Sequence, residues 1–299
     1  MAAQTQTNKS DAAKEYTMKR KSQLGEIVRR FVKNKSALLG LIIIIVLVIV
    51  AVFADKIAPY GADDQLLSRK FIEPCAEFPF GTDDYGRDIL SRCIYGARIS
   101  LTIGLFATAI SCVMGVFLGS LAGFYGGTAD NVIMRCIDVL LAIPSMLLAL
   151  SITAALGNGM RNLILAVGIS SIPGYARIVR ASILSVKEQE YIEAAHSIGA
   201  SDVRIILKHV LPNCLAPIIV QATMNVANAI LSAASLSFVG LGISPPMPEW
   251  GSMLNSGKAY LRTHPHVMVF PGLLIMLSVF AVNMFGDGLR DALDPKLKN

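Results

Sequence analysis

Apolar residues along this chain are gathered into long runs separated by shorter polar segments. Six of the runs approach the roughly 20 residues that an α-helix needs to cross the hydrocarbon core of a bilayer. They are Ala37–Ala54, Ile99–Tyr125, Val132–Leu156, Leu163–Ile178, Leu215–Val239 and Val267–Met284. The pattern predicts an all-α fold, a polytopic membrane bundle of six transmembrane helices.

Two of the predicted spans carry signs of contact with protein. The fourth is interrupted around Pro173, and such breaks are tolerated where neighbouring helices or a cavity satisfy the freed backbone groups. In the second, glycines recur every four residues and form a flat ridge that lets another helix approach closely. These glycines are Gly115, Gly119, Gly123 and Gly127.

The charges between the runs indicate the orientation. Residues 1–36 hold nine Lys or Arg against three acids, whereas residues 55–98 hold eight acids and six bases. Basic residues favour the cytoplasmic side, so both termini are predicted to be cytoplasmic and the 55–98 loop external. Residues 1–36 contain no stretch typical of a signal peptide, and we expect this end to stay uncleaved.

The predicted organisation has four parts. Residues 1–36 form a cytoplasmic tail, 37–98 the first span and external loop, 99–284 the transmembrane core, and 285–299 a cytoplasmic tail. Within the first part, Leu24, Ile27, Val28, Phe31 and Val32 recur at helical spacing opposite basic residues. That spacing is typical of a helix lying on the membrane surface, although a short linker would also fit.

Composition supports lipid as the solvent and excludes other classes. The hydrophobic content is 54%, only 16% of residues are charged, and the mean hydropathy is +0.56. The net charge of +6 resides mainly at the edges of apolar runs, so nucleic acid is not predicted as a partner. The five cysteines are scattered, which argues against a disulfide framework, although an external Cys75–Cys93 bridge remains open.

A long mixed segment at 175–213, between the fourth and fifth spans, is too charged to cross a membrane. Its pattern predicts two short helices: Gly199 ends the first, Ser201 or Asp202 caps the second, and Pro212 stops it. Tyr191, Ala194, Ala195 and Ile198 fall on one face of the first helix. Small side chains permit close backbone approach, so this cytoplasmic knob is predicted to dock into a groove of another protein.

The stretch EAAHSIGASDVRIILKHVLP at 193–212 resembles the EAA loop of ABC importer permeases. One fixed position departs from the general pattern: His209 stands where Ile is usual, as in the dipeptide, oligopeptide and nickel branch. FGTDDYGRDILSRCIYGARISL at 80–101, LSFVGLGISPPMPEWG at 236–251 and GDGLRDALDP at 286–295 resemble the same branch. The match is most similar to its "C"-type permease.

The resemblance implies a transporter subunit that couples to cytoplasmic ATPases and has no catalytic, cofactor or metal site of its own. It implies that Glu193 is a polar contact, Ala194 and Ala195 the close-packing face, and Gly199 the bend. The candidate coupling residues are Glu193, Ala194, Ala195, Gly199, Ala200, Asp202, His209, Leu211 and Pro212.

The resemblance implies an assembly in which this chain forms a heterodimer with a second permease. Two ABC ATPases that use ATP-Mg and an extracytoplasmic solute-binding protein complete the assembly. It would lie as a multi-pass protein in the inner or plasma membrane of a prokaryote. The expected solutes are di- or oligopeptides, with nickel or glutathione as alternatives. An ATP-independent carrier or channel is the competing class, but the predicted spans lack midplane ionisable residues.

Other signals have simpler explanations. GSMLNSGKAY at 251–260 fails as a phosphate-binding loop because its glycine spacing is one residue too long and Ala259 follows Lys258. His264 and His266 alone make a poor metal site. Three further sets are predicted to form ion pairs: Arg135 with Asp138, Arg290 with Asp294, and Asp83, Asp84 and Asp88 with Arg87 and Arg92.

Overall fold

The computed structural model describes residues 23–293, and their regular structure is helical. The main helices are α1 (Gln23–Lys33), α2 (Lys35–Val52), α3 (Ile89–Tyr125), α4 (Gly127–Leu141), α5 (Ser145–Leu156), α6 (Met160–Lys187), α7 (Glu190–Ser197), α8 (Asp202–Phe238), α9 (Trp250–Gly257) and α10 (His266–Leu293). Shorter helical turns lie at Ala54–Ile57, Leu67–Arg69 and Lys258–Tyr260.

Five helices of the described part are long and apolar enough to cross a membrane: α2, α3, α6, α8 and α10. The pair α4 and α5 passes the same test of length and apolarity only when the two helices are counted as one span, and they are bent by 87°. The span predicted over Val132–Leu156 is therefore divided into two helices. Pro144 explains the break, because proline lacks a backbone N–H and disfavours helical backbone at the residue before it.

The fourth predicted span faces protein, as expected. Helix α6 continues through Pro173 without a break, and half of its most apolar window is buried, the largest share among the five spans. Its neighbour α3 is longer than predicted. It begins at Ile89 because Asp88 caps it, the carboxylate accepting a hydrogen bond from the Ser91 amide at 2.8 Å.

The glycine ridge of α3 packs against α6. A Cβ added at Gly115 would lie 2.2 Å from Tyr175 Cβ, and one at Gly119 would lie 2.7 Å from the Ala176 carbonyl oxygen. Gly123 approaches Ile183 in the same way, at 3.0 Å. Gly127 does not belong to the ridge: it begins α4, and no atom lies within 4 Å of its added Cβ.

Helix α1 and the last turns of α10 lie at the same end of the bundle. The Phe31 and Phe285 rings are 5.4 Å apart, and Ala37 packs on Gly288. The end of α10 also lies beside α8, where Gly286 faces Thr223. The segment before the first span is therefore a helix rather than a linker, with Phe31 packed inward and Val28 exposed. The Leu24 side chain lies outside the described ones.

We call this end of the bundle, where α3 and α6 finish and α8 starts, the coupling side, and the opposite end the outer side. Residues 53–88 and 239–265 form the outer side. Within it the predicted ion-pair network is present except for Asp88, which caps α3 instead: Arg87 Nε lies 2.6 Å from Asp83 Oδ2, and Arg92 Nε lies 3.7 Å from the same oxygen. Arg92 also donates to the carbonyl oxygens of Ala62 and Pro246, so the network ties both segments together.

A buried carboxylate organises the second outer segment. Glu249 accepts hydrogen bonds from the Gly251 and Ser252 amides, both at 2.8 Å, and so caps α9. Burial raises the pKa of Glu249, and those amide hydrogen bonds oppose part of that rise. The neighbouring Trp250 indole donates to the Cys93 carbonyl at 3.0 Å. All five cysteines are free thiols, so the Cys75–Cys93 alternative is wrong: Cys75 is exposed and Cys93 is buried.

We predict that Gly115→Ala destabilises the bundle, because the new methyl group overlaps Tyr175. Overpacking of this kind costs about 2 kcal/mol. The thermal midpoint of the detergent-purified chain should fall by several degrees. Gly174→Ala, in α6 with no atom within 4 Å of the added Cβ, is the matched control. Equal midpoints for the two variants would contradict the packing account.

Candidate coupling site

The candidate site is the loop formed by α7 and the first turns of α8, which projects from the coupling side. Gly199 makes the bend between them with a φ of +77°, a left-handed conformation that side chains rarely adopt. Its amide donates to the His196 carbonyl, and the Ala200 amide donates to the Ala195 carbonyl. No atom lies within 4 Å of its added Cβ, so the backbone rather than crowding requires glycine here.

The second helix of the loop differs from the prediction. Ser201 occupies the N-cap position without a side-chain hydrogen bond, and Asp202 lies in the first turn, where a carboxylate favours the helix dipole. The helix does not stop at Pro212 but runs on to Phe238. A π-helical turn at Ile206–Val210 precedes the proline. Its altered hydrogen-bond pattern accommodates a residue that lacks an N–H, so loop and span form one helix.

The inner face of the loop is packed onto the ends of the spans. A buried apolar cluster, which we call the base cluster, joins the loop residues Ile192, Ala195 and Ile205 to Phe124 of α3 and Ile183 of α6. Val179, Ile206, Val210, Cys214 and Ile218 complete it. The prediction that Ala195 lies on the docking face is wrong, because only 6% of this residue is exposed. Its position in the base cluster fits a small residue where α7 comes close to the spans.

Polar and aromatic contacts at Phe124 also hold the loop against the ends of α3 and α6. The Lys187 ammonium donates to the Phe124 carbonyl and lies 5.7 Å from the centre of the Phe124 ring. The His196 ring stacks on the Phe124 ring, with centroids 6.0 Å apart. Phe124 therefore touches the end of α6 and the loop at once.

The outer face of the loop is apolar and open. Ile198, beside the bend, is 84% exposed, and Tyr191, Val203 and Leu207 are also exposed large hydrophobic residues. Ala194 and Glu193 are exposed on the same helix as Tyr191. We call Tyr191, Ala194, Ile198, Val203 and Leu207 the docking surface. Val203 and Leu207 belong to α8, whereas the predicted face lies on α7 alone, so the predicted set lacks these two residues.

The other predicted residues lie at the base of the loop. Ala200 and Leu211 are half-buried against the base cluster. His209 is half-buried, and its carbonyl oxygen accepts a hydrogen bond from Asn213 Nδ2 at 2.6 Å. Pro212 is exposed. These residues shape the join between loop and span, whereas Glu193, Ala194 and Gly199 reach the open surface.

A second polar feature lies beside the loop, between α4 and α6. Asp138 pairs with Arg177 of α6 at 2.6 Å, so the predicted pairing with Arg135 is wrong. The contact crosses between helices, which spacing along one helix cannot reveal. Asp130 pairs with Arg180 through two hydrogen bonds of 2.5 Å. These residues, with Arg135, line an open cleft of about 550 Å³.

The remaining candidates have structural contacts. Residues 250–257 form helix α9 on the outer side rather than a loop. His264 stacks on Phe71 at 4.3 Å, and His266 faces the Thr82 carbonyl at 3.4 Å. Among residues 23–293, no three potential ligands are grouped for a metal ion. The predicted Arg290–Asp294 pair lies outside the described residues.

Two family descriptions match the chain. Residues 115–299 match the binding-protein-dependent transport system inner membrane component, and residues 22–74 match the N-terminal transmembrane domain of oligopeptide transport permease C. The di/tripeptide transport system permease protein DppC of Pseudomonas aeruginosa is 48% identical, over 93% of this chain and 94% of the relative. The glutathione transport system permease protein GsiD of Escherichia coli O157:H7 is 50% identical, over 91% and 90%.

Solved structures support the fold. An inward-facing MetNI methionine ABC transporter chain superposes with a TM-score of 0.57 at 19% identity, covering 69% of this chain and 98% of that one. A chain of an amino acid ABC transporter gives 0.53 at 16% identity, covering 67% and 94%. The chain belongs to the family of binding-protein-dependent transport system inner membrane components and is a multi-pass permease of the ABC importer type.

Proposed function

We propose that this chain forms half of the pathway of an ATP-driven importer for small peptides, and that its docking surface binds a cytoplasmic ATPase subunit. The observation that carries the proposal is the two-sided loop. Its inner face is packed into the base cluster, while its outer face leaves Ile198 and other large apolar residues in solvent. Exposed apolar patches of this kind mark surfaces that bind other proteins.

The base cluster can transmit movement from the loop to the spans and from the spans to the loop. Three spans end in it, because Phe124 belongs to α3, Ile183 to α6 and Ile206 to α8. Closely packed interiors transmit displacement instead of absorbing it. An ATPase that moved the docking surface would therefore move the ends of these spans. The ATPase must make different contacts in its two states to shift the permease between them.

The other partners follow from the same proposal. If the loop binds a cytoplasmic ATPase, the coupling side lies in the cytoplasm of a prokaryote, with the chain in the inner or plasma membrane. Two ATPases would bind and hydrolyse ATP-Mg. The open side of α4 and α6 would face a second permease, and the outer side, braced by the Asp83 and Arg92 network, would receive an extracytoplasmic solute-binding protein.

Small peptides are the proposed solute class. Relatives nearly half identical over most of their length are named for dipeptides and for di- and tripeptides. Relatives at 50% identity are named for glutathione, itself a tripeptide, which makes it the second candidate. All three names share a short peptide with a free carboxylate, and this shared chemistry is what we assign to the chain.

Purification in mild detergent tests the assembly. We expect the tagged chain to bring down a second permease and two ATPases, and we expect binding protein with a dipeptide to stimulate ATP hydrolysis. Dipeptide and glutathione, each tested with the binding protein, separate the two solute candidates. Transport of a solute by the purified chain without an ATPase would contradict the proposal and favour a carrier.

We predict that Ile198→Asp weakens attachment of the ATPase, because a carboxylate replaces an exposed apolar contact. Loss of one such anchor costs an interface about 2 kcal/mol, roughly a thirtyfold loss in affinity. The measurement is recovery of ATPase in a pull-down with the tagged chain. Ile198→Leu is the matched control and should retain the ATPase. Full recovery with Ile198→Asp would place the ATPase elsewhere.

We also predict that Gly199→Val reduces uptake while the chain still inserts and binds the second permease. A β-branched residue is strained at a φ of +77°, by about 1–2 kcal/mol, so the bend should shift or fray. Gly199→Asn is the control, since asparagine tolerates this backbone region better. The readouts are uptake and hydrogen exchange of residues 190–207. Unchanged uptake with Gly199→Val would show that transport does not need the bend at Gly199.

A further inference from the structure

The cleft between α4 and α6 holds charged groups that the bundle itself leaves open to solvent. Asn131, Arg135 and Asp138 follow one another at helical spacing on α4 and are all exposed. Arg177 of α6 is also half-exposed in its ion pair with Asp138. Neighbouring residues on the other exposed side of α4, Val132 and Val139, are apolar. The helix therefore has a polar stripe beside an apolar one.

This polar stripe cannot face lipid. Asp138 lies eleven residues beyond Gly127, which places it about 16 Å along the axis of α4. Ionisable groups on membrane helices face the bundle interior or a water-filled path, because hydrocarbon solvates them poorly. Since the stripe is open within the described chain, water or another molecule must cover it. The cleft is therefore open to water or to the surface of the second permease that we propose beside α4 and α6.

The charges within the cleft are unbalanced. Its lining has three guanidinium groups and two carboxylates, an excess of one positive charge. Asp138 is engaged by Arg177 and Asp130 by Arg180. Among residues 23–293, Arg135 has no ion-pair partner within 4 Å, and neither Arg135 nor Asn131 has a side-chain hydrogen bond. An arginine fork and an amide are therefore available to an anion.

We propose that this cleft is a transient binding site for the carboxylate of a small peptide in transit, with Arg135 as its anchor. The proposal rests on the peptide importer proposed above and adds a site on this chain. A guanidinium binds a carboxylate through two parallel hydrogen bonds, and Asn131 can donate another. The volume of about 550 Å³ fits within the range of small-molecule sites.

The cleft also offers a partner for the ammonium group of a zwitterionic peptide. Asp138 is half-exposed, so a peptide ammonium group can approach it from the cleft beside Arg177. The weak, open site suits a path from which the solute must leave again. A peptide without a free carboxylate would meet an excess of positive charge and lose its strongest contact.

Saturation-transfer NMR on the purified importer complex, without binding protein, tests the site directly. The probes are alanyl-alanine and its C-terminal amide. We expect the free acid to bind and the amide to bind more weakly. Arg135→Gln should weaken binding of the acid by about tenfold or more, the loss expected for one charge-assisted hydrogen bond. Arg135→Lys keeps the charge but not the two parallel hydrogen bonds, so its binding should lie between those of the wild type and Arg135→Gln. Arg29→Gln, at an exposed arginine of α1, should keep all of the binding.

Three results would overturn the site: equal binding of acid and amide, unchanged binding with Arg135→Gln, or loss of the second permease from the Arg135→Gln complex. The last would assign Arg135 to the subunit interface. Uptake into proteoliposomes with binding protein separates this inference from the proposed function. No peptide uptake by the wild-type complex contradicts the importer, whereas full uptake by Arg135→Gln contradicts the cleft alone.

Discussion

The base cluster is the interaction on which the rest of this structure depends. It joins the coupling loop to the ends of three spans through residues such as Ile192, Phe124 and Ile183. Without it, α7 would be a short helix of eight residues with little reason to stay folded, since isolated helices of that length are unstable in water. With it, the loop has one rigid face and one open face. That division lets a single segment both hold a partner and move the membrane helices.

The glycine ridge extends this rigidity through the membrane. Helices α3 and α6 run in the same direction, and Gly115, Gly119 and Gly123 bring their backbones together over about two turns. Close packing at small residues is one source of helix association in lipid, where no hydrophobic effect acts between helices. The two helices then behave as one unit whose coupling-side ends lie in the base cluster. Helices α4 and α5 have few buried residues, and the polar cleft lies between α4 and this unit.

The sequence predicted the features that depend on local chemistry. The six membrane crossings follow from bilayer thickness, the loop from its charges, and the bend from Gly199. It failed where the outcome depends on three-dimensional neighbours. Ala194 and Ala195 are adjacent in the chain, yet one is exposed and the other buried, because only the register of α7 on Phe124 decides between them. Asp138 pairs with an arginine 39 residues away rather than with Arg135. Pro144 is a local signal for the bend between α4 and α5. Hydropathy alone does not reveal this bend, because the residues around it are apolar.

The most direct test of this account is whether the loop and the ends of the spans move together. Spin labels at Ser197 on α7 and Tyr125 at the end of α3, both exposed positions, give the distance across the base cluster by pulsed electron spin resonance in the assembled complex. The account predicts one narrow distance that is the same without nucleotide and with ATP bound. A distance that changes or broadens with ATP would mean that the loop moves independently of α3, and it would contradict coupling through the base cluster.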